Sequence, residues 1–158
     1  MRRMSVTMHG KAWRIRGFLI LFLLGATGCS SRQDELTRMQ TYTEEMQNFC
    51  DAVSSCQERI DAVEVSAENA GEEILLAVDE MAEAAASAAQ VSVPEGYEEA
   101  GELCKKASDY LQEAKGEYHA AFDTETVDQS ALHEGDAAYQ SAGRCISLML
   151  EALRQTGE

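Results

Sequence analysis

The sequence is poor in proline, in aromatic residues and in basic residues. It contains a single proline, Pro94, among 158 residues, and aromatic side chains make up 6% of the chain. Because proline is nearly absent, little interrupts a helix, and the abundant alanine, glutamate, glutamine and methionine all favour helix formation. The composition therefore predicts an all-α protein, and the length is sufficient for one domain.

The few basic residues are unevenly distributed. The whole chain has 13 Lys and Arg residues against 28 Asp and Glu residues, a net charge of −15. Residues 1–28 hold five basic residues and no acidic one, so residues 29–158 carry eight basic and 28 acidic residues, a net charge of −20. A charge of this sign repels phosphate backbones and argues against nucleic-acid binding. It favours solubility and cationic partners, although most acidic surfaces of this kind are simply solvated.

The N-terminal segment has the organisation of a signal peptide. Its apolar run, GFLILFLLG at residues 17–25, is shorter than the roughly 20 residues that cross a bilayer. A basic segment precedes the run, and the small residues Ala26, Thr27 and Gly28 follow it. Basic, apolar and small-residue zones in this order are typical of a segment that directs export.

The sequence ATGC at residues 26–29 resembles the lipobox of bacterial lipoproteins, in which a signal peptidase cuts before a lipid-modified cysteine. The resemblance covers residues 1–29 only. It implies that residues 1–28 form the signal peptide and that Cys29 becomes the acylated N-terminal residue. The alternative is an ordinary secretory signal cleaved after Gly28.

The resemblance also implies a location. The mature protein is expected outside the cytoplasm, held in the cell envelope by acyl chains such as palmitate. Several acyl chains on one residue anchor a domain stably, at about 0.8 kcal/mol per buried CH₂. Ser30 resembles the outer-membrane sorting signal, so the outer membrane is expected if the host has one. Residues 29–33 are predicted to form the lipidated tether and residues 34–156 the acidic helical domain.

Four segments of the mature chain repeat apolar residues at helical spacing. The first two predicted helices cover about 34–64 and 67–90, the third ends near Phe122 and the fourth near Arg154. Short connections give antiparallel neighbours, so we predict an up-and-down four-helix bundle. If no break occurs near residue 66, three helices with one long hairpin arm are expected instead. The predicted capping residues are Ser31 with Asp34, Ser66, Ser92 with Glu95, and Thr126 with Gln129.

Five cysteines occur, at positions 29, 50, 56, 104 and 145. With Cys29 acylated, four remain, and an even number outside the cytoplasm indicates disulfides. A bond between Cys50 and Cys56 would require a broken first helix, because six residues of helical rise separate their Cα atoms by about 9 Å. We favour Cys50–Cys145, on the flanks of their apolar stripes, with Cys56–Cys104, at the stripe centres. The alternative is that these cysteines are small apolar core residues.

Catalytic, metal and cofactor motifs are missing from the sequence. A zinc site requires paired Cys or His at short spacing, whereas five residues lie between Cys50 and Cys56, and His119 and His133 are far from them. We therefore expect neither an enzyme, nor a metal site, nor a cofactor. A redox role for Cys50 and Cys56 would need accessible thiols of low pKa.

Two functions fit these observations. The first is a membrane-anchored, non-catalytic envelope lipoprotein whose helical domain binds another envelope protein. The second is an acidic module that binds a cationic ligand, either a metal ion or a basic peptide, through its negative field.

Overall fold

The computed structural model describes residues 30–64, 69–123 and 126–156. These residues form four helices, α1 (Ser30–Ala62), α2 (Ala70–Ala88), α3 (Glu98–Phe122) and α4 (Gln129–Thr156), and include no strand. The predicted all-α helical bundle is confirmed. The predicted signal peptide, Cys29 and the Ser66 cap lie outside the described residues.

The first two helices are separate. Helix α1 ends at Ala62, where Val63 N–H donates to Ile60 O in a turn. Helix α2 begins at Ala70, and the side-chain amide of Asn69 donates to Glu73 at 2.7 Å. The arrangement with three helices and a long hairpin arm is therefore wrong.

Three of the predicted caps are wrong. Helix α1 already includes Ser30 and Ser31, so residues 30–33 belong to the helix. Helix α3 begins at Glu98 because Gly96 has a φ of +88°, and the chain turns there with Tyr97 N–H donating to Pro94 O. Helix α4 is capped by Asp128, whose carboxylate accepts the backbone N–H of Ser130 at 2.8 Å and of Ala131 at 3.3 Å. The predicted N-cap residues that do not occupy the N-cap position are Ser31, Ser92 and Thr126.

The helices pack in the order α1–α2, α2–α3 and α3–α4, and the last pair has the most extensive contact. The core between them is built largely from alanine, with few bulky side chains. The alanine-rich sequence of α2 predicts close packing against a neighbouring helix, and α2 contacts both α1 and α3. A methyl group added at Gly135 of α4 would lie 3.3 Å from the Tyr118 ring of α3. The largest fully buried apolar side chains are Tyr42, Met46, Met81, Leu111 and Met149.

One end of the bundle is defined by two contacts, and we call it the Tyr42 end. The ring of Tyr42 in α1 packs edge-on against the ring of Tyr97, with 5.6 Å between centroids. The Thr156 hydroxyl at the end of α4 donates to Gly96 O at 3.3 Å. Tyr42 of α1, the start of α3 and the end of α4 therefore lie together.

Residues 30–41 of α1 precede this end of the bundle, and we call them the overhang. Within the overhang, residues 32–38 are exposed. Leu36 shares the helical spacing of the apolar residues of α1, but it is 54% exposed and lies outside the core. From Ser30 to Tyr42 the helix rises about 18 Å. The overhang holds two arginines and two acidic residues, so its net charge is zero, whereas residues 42–158 are strongly acidic.

Two glycines of α3 provide a test of the packing. A Cβ added at Gly101 would lie 2.6 Å from Val93 Cγ2, whereas a Cβ added at Gly116 would meet nothing within 4 Å. Alanine favours a helix interior over glycine by about 1 kcal/mol, so Gly116→Ala is expected to stabilise the protein by roughly that amount. Gly101→Ala gains the same propensity but must displace the stiff Val93 side chain. We therefore expect its free energy of unfolding to be about 1–3 kcal/mol below that of Gly116→Ala.

Urea denaturation of the two variants measures this difference. Both substitutions occur in the same helix and add the same methyl group, so only the surroundings differ. An equal stabilisation by both would contradict the close approach of Val93 to α3.

Candidate functional site

The four cysteines of the described chain are free thiols. Neither predicted disulfide, Cys50–Cys145 or Cys56–Cys104, is formed. Close backbone packing does not join α1 to α4, and the Cys56 sulfur lies 3.6 Å from a carboxylate oxygen of Glu80 on α2. Cys50, Cys56 and Cys104 are buried in the core and Cys145 is half-buried, so the first three act as small apolar side chains.

Burial makes the core thiols poor nucleophiles. It raises the pKa of Cys50 from 9.0 to about 12 and that of Cys104 from 9.0 to about 11. Burial, together with the neighbouring Glu80 carboxylate, also raises the pKa of Cys56. Because the thiolate is the reactive form, these environments argue against a redox role for Cys50 and Cys56.

Glu80 joins α1 to α2 through two contacts. Its carboxylate accepts the Cys56 thiol, with 3.6 Å between sulfur and oxygen, and it also pairs with the Arg59 guanidinium. The hydrogen bond from Arg59 lowers the pKa of Glu80, so the carboxylate stays ionised. This cluster holds two helices together and engages the Cys56 thiol in a hydrogen bond.

Asp79 joins α2 to α3 in a similar way. One of its oxygens lies 3.0 Å from His119 Nε2 and 3.2 Å from Lys115 Nζ. Burial alone would raise the pKa of Asp79, but the hydrogen bonds from His119 and Lys115 outweigh that effect and lower the pKa. His119 therefore links α3 to α2, whereas its sequence position predicts an ordinary residue on the helix surface.

The histidines and acids of the described residues form no metal site. No group of three or more His, Cys, Asp or Glu side chains among them is placed to hold a metal ion. His133 is exposed on α4, and His119 is already paired with Asp79. A metal ion is thus unsupported as the cationic ligand of the second predicted function.

A shallow open groove of about 260 Å³ runs between α3 and α4 at the Tyr42 end. Its apolar part centres on Leu148, which is 52% exposed, with Leu103 and Ala152 beside it. Within the described chain, no Lys, Arg or His comes within 4 Å of the carboxylates of Glu99 and Glu151. The α3–α4 groove is lined by Glu99, Leu103, Leu148, Glu151, Ala152 and Gln155.

No family model, curated protein or solved structure matches the chain. Its function must therefore be argued from its own residues. None of the described helices combines the length and the apolar character needed to cross a membrane.

The sequence predicted none of the groove residues as a site. Leu148 and Leu103 each lie one residue away from a member of the apolar stripe of their helix, Met149 and Cys104. A leucine next to a core position is the only sequence feature that could have indicated the groove. Whether such a leucine is covered depends on how α4 packs on α3.

Proposed function

We propose that the protein is a lipid-anchored, non-catalytic helical module of the bacterial cell envelope that binds another envelope protein. The observation that carries this proposal is the overhang, an exposed helical segment that continues without a break into the bundle. In the sequence, the overhang comes directly after the lipobox-like cysteine. An acylated Cys29 would thus be joined to the bundle by a helical spacer of about 18 Å.

The charge distribution supports this arrangement. The overhang has no net charge, whereas the acidic residues are concentrated in the bundle. Many bacterial membrane surfaces are themselves anionic, and like charges repel within about a Debye length, 8–10 Å at physiological ionic strength. A neutral spacer longer than this distance separates the acidic bundle from the lipid headgroups.

The second predicted function is an acidic module for a cationic ligand, and the structure bears differently on its two ligands, a metal ion and a basic peptide. The described residues offer no group that could hold a metal ion. A basic peptide is favoured by the carboxylates of Glu99 and Glu151 beside exposed Leu148. The two functions are therefore compatible, because the envelope protein that is bound in the first proposal can present a basic segment.

The anchor is tested by the intact mass of the protein taken from membranes of a bacterial host. We expect a mass of residues 29–158 plus acyl chains, because the lipobox-like sequence directs acylation of Cys29. Cys29→Ser is expected to abolish the acylated species, whereas Cys145→Ser, the matched control, is expected to retain it. Cleavage after Gly28 without acyl mass would refute the lipid anchor.

The interaction role is tested by crosslinking in whole cells. Photoreactive residues placed at several exposed helix positions are expected to trap a specific protein. If only lipid were trapped from every position, the role in protein binding would be refuted.

A further inference from the structure

The α3–α4 groove combines three properties that a docking site for a basic helix requires. Leu148 offers an apolar contact that no residue of the described chain fully covers. Glu99 on α3 and Glu151 on α4 line the groove with Leu148, and neither has a cationic partner within 4 Å among the described residues. Two packed antiparallel helices also form a groove for a third, which can insert its apolar side chains between them.

The position of the groove restricts the partner. Glu99 and Leu103 lie in the first two turns of α3, and Ala152 and Gln155 lie in the last two turns of α4. Both regions belong to the Tyr42 end of the bundle, from which the overhang projects. If Cys29 is anchored as proposed above, the groove lies roughly 20 Å from the membrane surface, within reach of the segment that another anchored protein places just outside the bilayer.

We propose that the α3–α4 groove binds a basic amphipathic helix from the membrane-adjacent segment of a second envelope protein. This inference rests on the proposed function and names the class of partner for it. Apolar side chains of that helix pack on Leu148, Leu103 and Ala152. Its Lys or Arg residues, on the two sides of the apolar stripe, face Glu99 and Glu151.

Two other occupants fit less well. The overhang of a second copy has equal numbers of acidic and basic residues, so it lacks the charge that complements the groove. In two copies anchored side by side, the overhang of each would also lie below the groove of the other. An anionic lipid surface would be repelled by the carboxylates of Glu99 and Glu151.

Peptide binding by the full-length protein in detergent tests the chemistry of the groove. The probe is a synthetic 18-residue amphipathic helix of Leu and Lys, and its control is the same helix with Glu in place of Lys. We expect saturable binding of the Lys peptide alone, weakened by salt because ion pairs contribute. Leu148→Asp is expected to weaken binding about tenfold or more, since it removes the apolar contact.

Leu76→Asp is the matched control for Leu148→Asp. Leu76 lies on α2, is 54% exposed against 52% for Leu148, and gains the same charge in the variant. We expect it to leave binding unchanged, and we expect Glu99→Lys with Glu151→Lys to weaken binding of the Lys peptide. Equal loss in Leu76→Asp, or equal binding of both peptides, would overturn the groove as the site.

Photocrosslinking in cells separates this inference from the proposed function. A photoreactive residue at position 148 of the full-length protein is expected to trap a basic helical segment of another protein, identified by sequencing the crosslinked peptide. Protein adducts at position 76 alone would leave the proposed function intact and overturn this inference. An adduct of two copies of this chain, or of lipid alone, at position 148 would also overturn it. Only lipid adducts at all positions would overturn both.

Discussion

Replacement of Leu111 by alanine is expected to lower the free energy of unfolding by about 2–5 kcal/mol. Leu111 is at the centre of α3, and its side chain is completely buried. The surrounding core consists largely of alanine, so few neighbouring side chains are long enough to move into the space that the substitution leaves. The loss combines the transfer free energy of the removed atoms with the cost of that cavity.

Urea denaturation of the purified protein under reducing conditions measures this effect. The control is Leu76→Ala, which makes the same substitution at a position that is 54% exposed. We expect the control to change stability by no more than about 0.5 kcal/mol. A loss for Leu111→Ala as small as that of the control would contradict the place of Leu111 in the core. Since domains of this size are typically stable by about 5–15 kcal/mol, the expected loss is a large share of the total.

Stability is also expected to fall as the pH rises above about 9, because the buried thiols release their protons much more easily in the unfolded chain. Cys50 titrates near 9.0 when unfolded and at about 12 when folded, and Cys104 changes from 9.0 to about 11. A raised folded-state pKa means that the folded protein binds the proton more tightly. The resulting stabilisation is complete below pH 9 and is lost as the pH rises towards 11 and 12.

At pH 10 the expected loss is roughly 1 kcal/mol for each of the two thiols, relative to pH 7. Above pH 10 the loss continues, because burial raises the pKa of Tyr42 and of Tyr139 from 10.0 to about 12. The measurement is a series of urea denaturations between pH 7 and 10 in the presence of a reductant. The variant Cys50→Ala with Cys104→Ala removes both titrating groups and retains small apolar side chains.

This double variant is expected to keep most of its own pH 7 stability at pH 10. The variant has a smaller core volume, which lowers its free energy of unfolding at every pH. Comparing the change with pH in the two proteins cancels this constant effect. An identical fall in the variant and in the natural protein would show that the thiols are not the titrating groups.

Much of the fold follows from local sequence pattern. The α3 stripe is the best example, because Tyr97, Ala100, Cys104, Ala107, Leu111, Ala114, Tyr118 and Ala121 are all buried at the predicted spacing. The apolar stripe of α4 is also largely confirmed, because Ala142, Ile146 and Met149 are buried at the predicted spacing. Spacing of this kind depends only on the 3.6-residue period of the helix, which every residue of the stripe shares.

The helix ends and the cysteines were predicted less well. Ser92 with Glu95 has the composition of a capping box, but the positive φ of Gly96 produces a turn, and α3 begins at Glu98. The cysteines were assigned by height and face within an idealised bundle, whereas the actual packing places Cys56 beside Glu80. The first error arises from the backbone conformation of one glycine, and the second arises because local patterns do not specify how one helix is rotated against the next.

The sequence by itself determined the helical class, the apolar faces and the large negative charge, since these depend on residue type and on the period of the helix. It also contains the signal-like segment and the lipobox-like cysteine on which the proposed anchor rests. Only the tertiary structure decided that three thiols are buried, that the overhang precedes the bundle and that Leu148 is exposed in a groove that Glu99 and Glu151 also line. These features depend on helix lengths, rotations and contacts between residues far apart in the chain, which no local pattern encodes.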